Sequence, residues 1–188
     1  VKSDADATKT RAYVISSSDN GVTWNDPADV TDQVILPGYF SSGFGPGSGI
    51  QISCGRHAGR LILPSRQYNG SASKGFAIYS DDHGATWKVS SEVLAGESQI
   101  AECGEDRLTV NIRRSADRYS SFSKDGGLPS FESGCHASVC SGGGNMVFYC
   151  GPKGGAKSST HDNRYELMLF RSPTSTQGWT RSQLLYDL

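Results

Sequence analysis

The stretch SSDNGVTW occupies residues 17–24, and SDDHGATW occupies residues 80–87. Both place Ser, Asp, Gly, Thr and Trp at the same offsets. The middle of each reads as a tight turn. The Asp can accept backbone N–H bonds, and Gly21 or Gly84 can take a positive φ. Ser17 and Ser80 can brace the turn with a hydroxyl. Trp24 and Trp87 are large enough to fill a gap between neighbouring sheets. Two weaker copies continue the series. SKDGGLPSF (123–131) keeps Ser123, Asp125 and Gly127, and SPTSTQGW (172–179) keeps Ser172 and Trp179 with Thr174 in the Asp place. Successive copies are spaced by 63, 43 and 49 residues. A small sheet recurring at that period, each closed by the same turn, is the writing of a β-propeller. Each Asp is used by its own turn, so the boxes are read as architecture and not as chemistry.

The rest of the chain agrees with an all-β reading. Gly accounts for 23 of 188 residues. Short β-rich runs stand near 11–17, 49–54, 60–64, 75–80, 107–113, 146–150 and 165–171, with turn residues between them. No segment holds an apolar stripe at helical period for long enough to predict a helix. Four box-like turns predict about four blades, in one domain spanning 1–188. Eighteen Lys and Arg face nineteen Asp and Glu, a net charge of −1, which gives no reason to expect a nucleic-acid partner. No apolar run reaches the ~18 residues of a membrane span. Five cysteines form no CxxC pair and no zinc-type spacing, and an odd count leaves at least one thiol free or paired between molecules. No metal or other cofactor is expected. Asn69-Gly70-Ser71 is a glycosylation sequon.

With the intervening segments added, the chain resembles the non-viral sialidases (neuraminidases). Their Asp box is S-x-D-x-G-x-T-W. GPGSGIQ (45–51) followed by GRLILP (59–64) is similar to the stretch after their first box. YSDDHGATW (79–87) is very close to their second. ESQIAE (97–102) followed by RLTVNIR (107–113) resembles their E-x-Q-x-x-E and L-x-x-N-x-R segment. These elements run in the family's order. The fold implied is a six-bladed propeller, of which this chain would hold about four blades as an internal piece, incomplete at both ends. The activity implied is exo-α-sialidase, acting on sialylated glycoconjugates without a cofactor.

The resemblance also implies residues. Sialic acid carries a carboxylate on its anomeric carbon, and arginine grips a carboxylate with a planar fork. The family's second and third arginines map onto Arg113 and Arg164. The first belongs to an upstream F/Y-R-I-P motif that this chain does not contain. The nucleophile is a tyrosine, activated by a glutamate that maps onto Glu97. That tyrosine is expected beyond residue 188, and Tyr186 is not assigned the role. Glu102, the second glutamate, is read as structural. The general acid falls on Asp4, twenty residues before Trp24. Arg66 and Tyr68, after the LILP strand, are placed as contacts to the sugar's glycerol tail. The bland alternative for each is a solvated surface side chain. The alternative for the whole chain is a non-catalytic Asp-box propeller that binds a glycan or a protein. Convergence of Glu97, Arg113 and Arg164 on one cleft would separate the two.

Overall fold

The computed structural model describes residues 10–92, 96–113, 137–143, 145–152, 167–173 and 180–186. These build an all-β stack of antiparallel sheets. Strands β1 (Tyr13–Val14) and β2 (Ala28–Asp29) pair as a short two-stranded sheet. A single helical turn, α1 (Thr31–Val34), follows. The next sheet holds β3 (Ser41–Phe44), β4 (Ile50–Gln51), β5 (Leu61–Tyr68), β6 (Ser73–Ser80) and β7 (Lys88–Val89). Its path is β3-β5-β6-β7, with β4 also on β5. Then come the pair β8 (Glu97–Glu102) and β9 (Leu108–Arg113) and the meander β10 (Ser138–Ser141), β11 (Val147–Pro152), β12 (Leu167–Ser172) and β13 (Thr180–Tyr186).

Alternation and composition explain why these segments are strands. RLILP and GFAIYS carry β-branched and aromatic residues on both faces, and β6 is buried on both. A sheet with both faces covered needs a neighbour on each side. The three apolar clusters lie where that predicts. Ala12, Val30, Val34 and Ile78 pack the first sheet and α1 against the second. Ile52, Ile62, Ala77 and Ile100 fill the space between the second and third. Ala101, Val139, Val147, Tyr149, Met168 and Phe170 are buried between the third and fourth. Strand β8 accordingly touches β4 and β5 on one side and β10 on the other.

The two clear Asp boxes sit in the connections β1–β2 and β6–β7, the closing hairpins of their sheets. In the first, Ser17 Oγ donates to Asp19 Oδ1 (2.7 Å) and accepts from Gly21 N (2.8 Å). Asp19 accepts from Thr23 N (2.9 Å) and Thr23 Oγ1 (2.6 Å). Trp24 Nε1 donates to Gly21 O (3.1 Å). The second repeats this with Ser80, Asp82, Gly84, Thr86 and Trp87. Both Asp carboxyls are pulled down to about 2, first by the Thr hydroxyl and then by backbone N–H and Ser donors. For these two boxes the expectation that Asp19 and Asp82 are used by their own turns is met. The expectation for the tryptophans is met once: Trp87 packs on the first core cluster, whereas Trp24 is 58% exposed. The box-like segments 123–131 and 174–179 lie outside the described residues.

Candidate functional site

The hairpin β8–β9 brings two of the expected residues together. Its register pairs Glu97 with Arg113, Gln99 with Asn111 and Glu102 with Leu108. An antiparallel pair sets the first residue of one strand opposite the last of its partner, so the reversal at 103–107 is what joins Glu97 to Arg113. That reversal is closed by Cys103 N to Arg107 O and Arg107 N to Gly104 O, with Gly104 and Asp106 at positive φ.

This end of the hairpin is fixed from both sides. Ser98 N donates to Gly45 O (3.3 Å), and Gly45 N donates to Pro64 O (3.3 Å). Glu97 therefore begins its strand at the level where β5 passes from Pro64 to Arg66. On the other side Gln99 Oε1 accepts from Val139 N (3.3 Å), and Asn111 Nδ2 donates to Ala137 O (2.7 Å). Asn111 is 2% exposed. Gly47 leaves room for Gln99, since a Cβ there would come within 3.3 Å of its Cδ. Gln99 and Asn111 were not assigned a role from the sequence. A polar amide inside each of two otherwise β-rich runs was the signal available.

Arg66 and Tyr68 lie within β5, which runs on to Tyr68, and not after the strand as expected. The extension has a cause: β3 and β6 flank β5 over its last four residues, so its backbone groups find partners on both sides. Arg66 is exposed, with Gly43 and Gly75 as its cross-strand neighbours. Among the described residues its guanidinium makes no hydrogen bond. Tyr68 donates its hydroxyl to Gly70 O and meets Phe40 edge-on at 5.8 Å. Between them Gln67 is fully buried, donating to Val34 O (2.7 Å) and accepting from Leu36 N (3.0 Å). Asp4 and Arg164 lie outside the described residues.

The opposite ends of the same strands carry architecture. Leu61 pairs with Ser80, where the second box begins, while Tyr68 pairs with Ser73 at the far end. Glu102 closes β8 on the box side. Its carboxylate accepts from Ser53 N (2.9 Å), Ser53 Oγ (2.6 Å), Cys54 N (3.2 Å) and Cys54 Sγ (3.3 Å), tying the third sheet to the second. Burial would raise its pKa, but the donors from Ser53 and Cys54 together win, and the net shift is downward. Nearby, Arg56 pairs with Asp106 and Arg60 with Asp81. A small hollow there lies between Ile52, Ile62 and Leu108. Among the described residues no three His, Cys, Asp or Glu side chains are grouped as a metal site would need. No described helix is long and apolar enough to cross a membrane.

The BNR repeat-like domain family matches residues 1–188. A sialidase of Micromonospora viridifaciens is 37% identical over 129 residues, covering 65% of this chain and 20% of that protein. A sialidase of Bacteroides fragilis (strain YCH46) is 29% identical over 179 residues, covering 86% of this chain and 29% of that protein. Among solved structures, the Hadza microbial sialidase Hz136 superposes with a TM-score of 0.77 at 23% identity, covering 94% of this chain and 37% of that one. The chain belongs to the BNR repeat-like domain family. It spans less than a third of the length of either sialidase relative.

Proposed function

We propose that the chain is the central part of an exo-α-sialidase whose full propeller has six blades, about four of them here. The reading assigns Glu97 and Arg113 to one pocket, with Arg66 on its rim and Arg164 completing the grip on the substrate carboxylate. The register of β8 on β9 carries this most directly: the two residues the family resemblance singles out have facing Cα positions, at the strand ends away from both Asp boxes.

The chemistry follows from the substrate. A carboxylate nucleophile would be repelled by the sugar's own carboxylate, so a tyrosine hydroxyl serves instead. Its ordinary pKa near 10 requires a base, and Glu97 takes the proton. Asp4 protonates the departing glycosidic oxygen. A covalent tyrosyl–sugar intermediate results, and Asp4 then activates water to release sialic acid with retained configuration. The tyrosine is assigned to no residue of this chain. Tyr68 and Arg66 contact the glycerol tail.

Release of fluorophore from an aryl sialoside tests the proposal. Glu97→Ala is expected to lower kcat by about 100-fold or more with an unchanged circular-dichroism spectrum. Turnover that survives the substitution would sink the assignment. If the wild-type chain gives no turnover, binding of sialic acid followed by NMR replaces the assay, and Arg113→Ala is expected to abolish it. Binding without turnover in a longer chain that carries the tyrosine favours the non-catalytic glycan-binding propeller. Absence of both overturns the reading.

A further inference from the structure

Asn-Gly occurs twice in the chain, at Asn20-Gly21 in the first box and at Asn69-Gly70. Glycine is the one residue with no Cβ to hinder its nitrogen from approaching the preceding side chain. The two dipeptides are chemically alike and both are exposed. Their surroundings differ. Gly21 N is held by Ser17 Oγ at 2.8 Å, and Asn20 is fixed at φ 59 within the box. Attack by that nitrogen would first break a bond that the whole turn is built on.

The second dipeptide caps the β5–β6 hairpin. Among the described residues Gly70 N donates to no acceptor. Asn69 Oδ1 accepts from Ser71 N (3.1 Å), Ser71 Oγ (3.1 Å) and Ala72 N (2.9 Å). Three donors thus converge on the oxygen that would gain negative charge if a nucleophile added to Cγ. Asn69 Nδ2, the leaving nitrogen, has no partner among the described residues.

We propose that Asn69 is a site of spontaneous deamidation in the folded protein, and that Asn20 is protected from it. Gly70 N attacks Asn69 Cγ and loses its proton. The Cγ–Nδ2 bond breaks, and the nitrogen leaves as ammonia with that proton. Water then opens the five-membered imide. Opening at Cγ gives aspartate; opening at the main-chain carbonyl gives isoaspartate, with an extra methylene in the backbone. Either product places a new negative charge at the tip of the hairpin that carries Tyr68 and Arg66. This goes beyond the sialidase reading and does not depend on it.

The test is peptide mass spectrometry of the intact folded chain held in mildly alkaline buffer at body temperature. A gain of about one dalton is expected on the peptide containing Asn69, about ten-fold ahead of the one containing Asn20. In strong denaturant the two rates should converge. Ser71→Ala, which deletes one donor to Oδ1, is expected to slow conversion about five-fold. Asn69→Gln should give no product there. Conversion at Asn20 first or at equal rate in the folded chain, no conversion at Asn69, or a faster rate in Ser71→Ala would each overturn the proposal.

Discussion

The first and second Asp boxes share their internal bonds and differ in everything outside them. Every side-chain hydrogen bond of the second recurs in the first. The backbone matches too: Asn20 and His83 stand at φ 59 and 57, and the glycines after them at φ 85 and 92. Yet Trp24 faces solvent, whereas Trp87 packs on the core cluster around Val34 and Ile78, and its main-chain N–H donates to Gln33 Oε1 (2.8 Å). The turn is therefore a local product of eight residues. Its tryptophan is a handle that a neighbouring sheet can use, and the turn forms whether or not one does.

The contrast can be broken most readily at the tryptophans. Trp87→Ala is expected to cost about 2–3 kcal/mol in urea unfolding, since it opens a gap in a packed cluster. Trp24→Ala should cost under about 1 kcal/mol. Equal costs would show that the first indole is covered in solution. Gln33→Ala removes the outside partner that only the second box has, and a loss of about 1 kcal/mol is expected. Removing Gln33 should leave the exposure of Trp24 to a fluorescence quencher unchanged.

Acid should affect both boxes alike. Each Asp is held at about 2 against an ordinary 3.8, so each contributes stability above about pH 4 that is lost as pH falls towards 2. Replacing both with Asn should flatten thermal midpoint against pH in that window; an unchanged slope would mean the carboxylates are not what the turns rely on. The smallest effect belongs to the positive-φ position. Asn takes that region readily, so His83→Asn should raise the midpoint by no more than about 1 °C.

The boxes were legible from sequence because their bonds span four residues at most. The strand runs near 60–64, 75–80, 107–113 and 146–150 were visible for a similar reason, being rich in β-branched and aromatic residues, although β5 and β6 extend beyond them. Ser41–Phe44 and Ser138–Ser141 were missed because SSGF and SVCS have little pattern of their own; they are strands because β5 and β11 lie alongside. The turn Thr31–Val34 is too short to show a helical period. It exists because Asp29 Oδ1 accepts from Thr31 N (2.9 Å) and Val34 is buried.

In the candidate site, Glu97 and Arg113 were found through motif resemblance, and their register through the fold. Glu102 was rightly set apart as structural, although nothing in its spacing named Ser53 and Cys54 as partners nearly fifty residues away. The inter-sheet roles of Gln67, Gln99 and Asn111 could not be read locally. Each bonds a backbone group on another element, and such pairing becomes visible only when the sheets are stacked.

One arrangement has a practical corollary. Because the two described Asp-box knots sit at the strand ends away from Glu97, the two rims can be altered independently. Loops around Glu97 should accept exchange, lengthening or library diversification while the clasped rim keeps its shape. Substitutions at Ser17, Asp19, Ser80 or Asp82 should harm expression of the protein before they alter what it recognises.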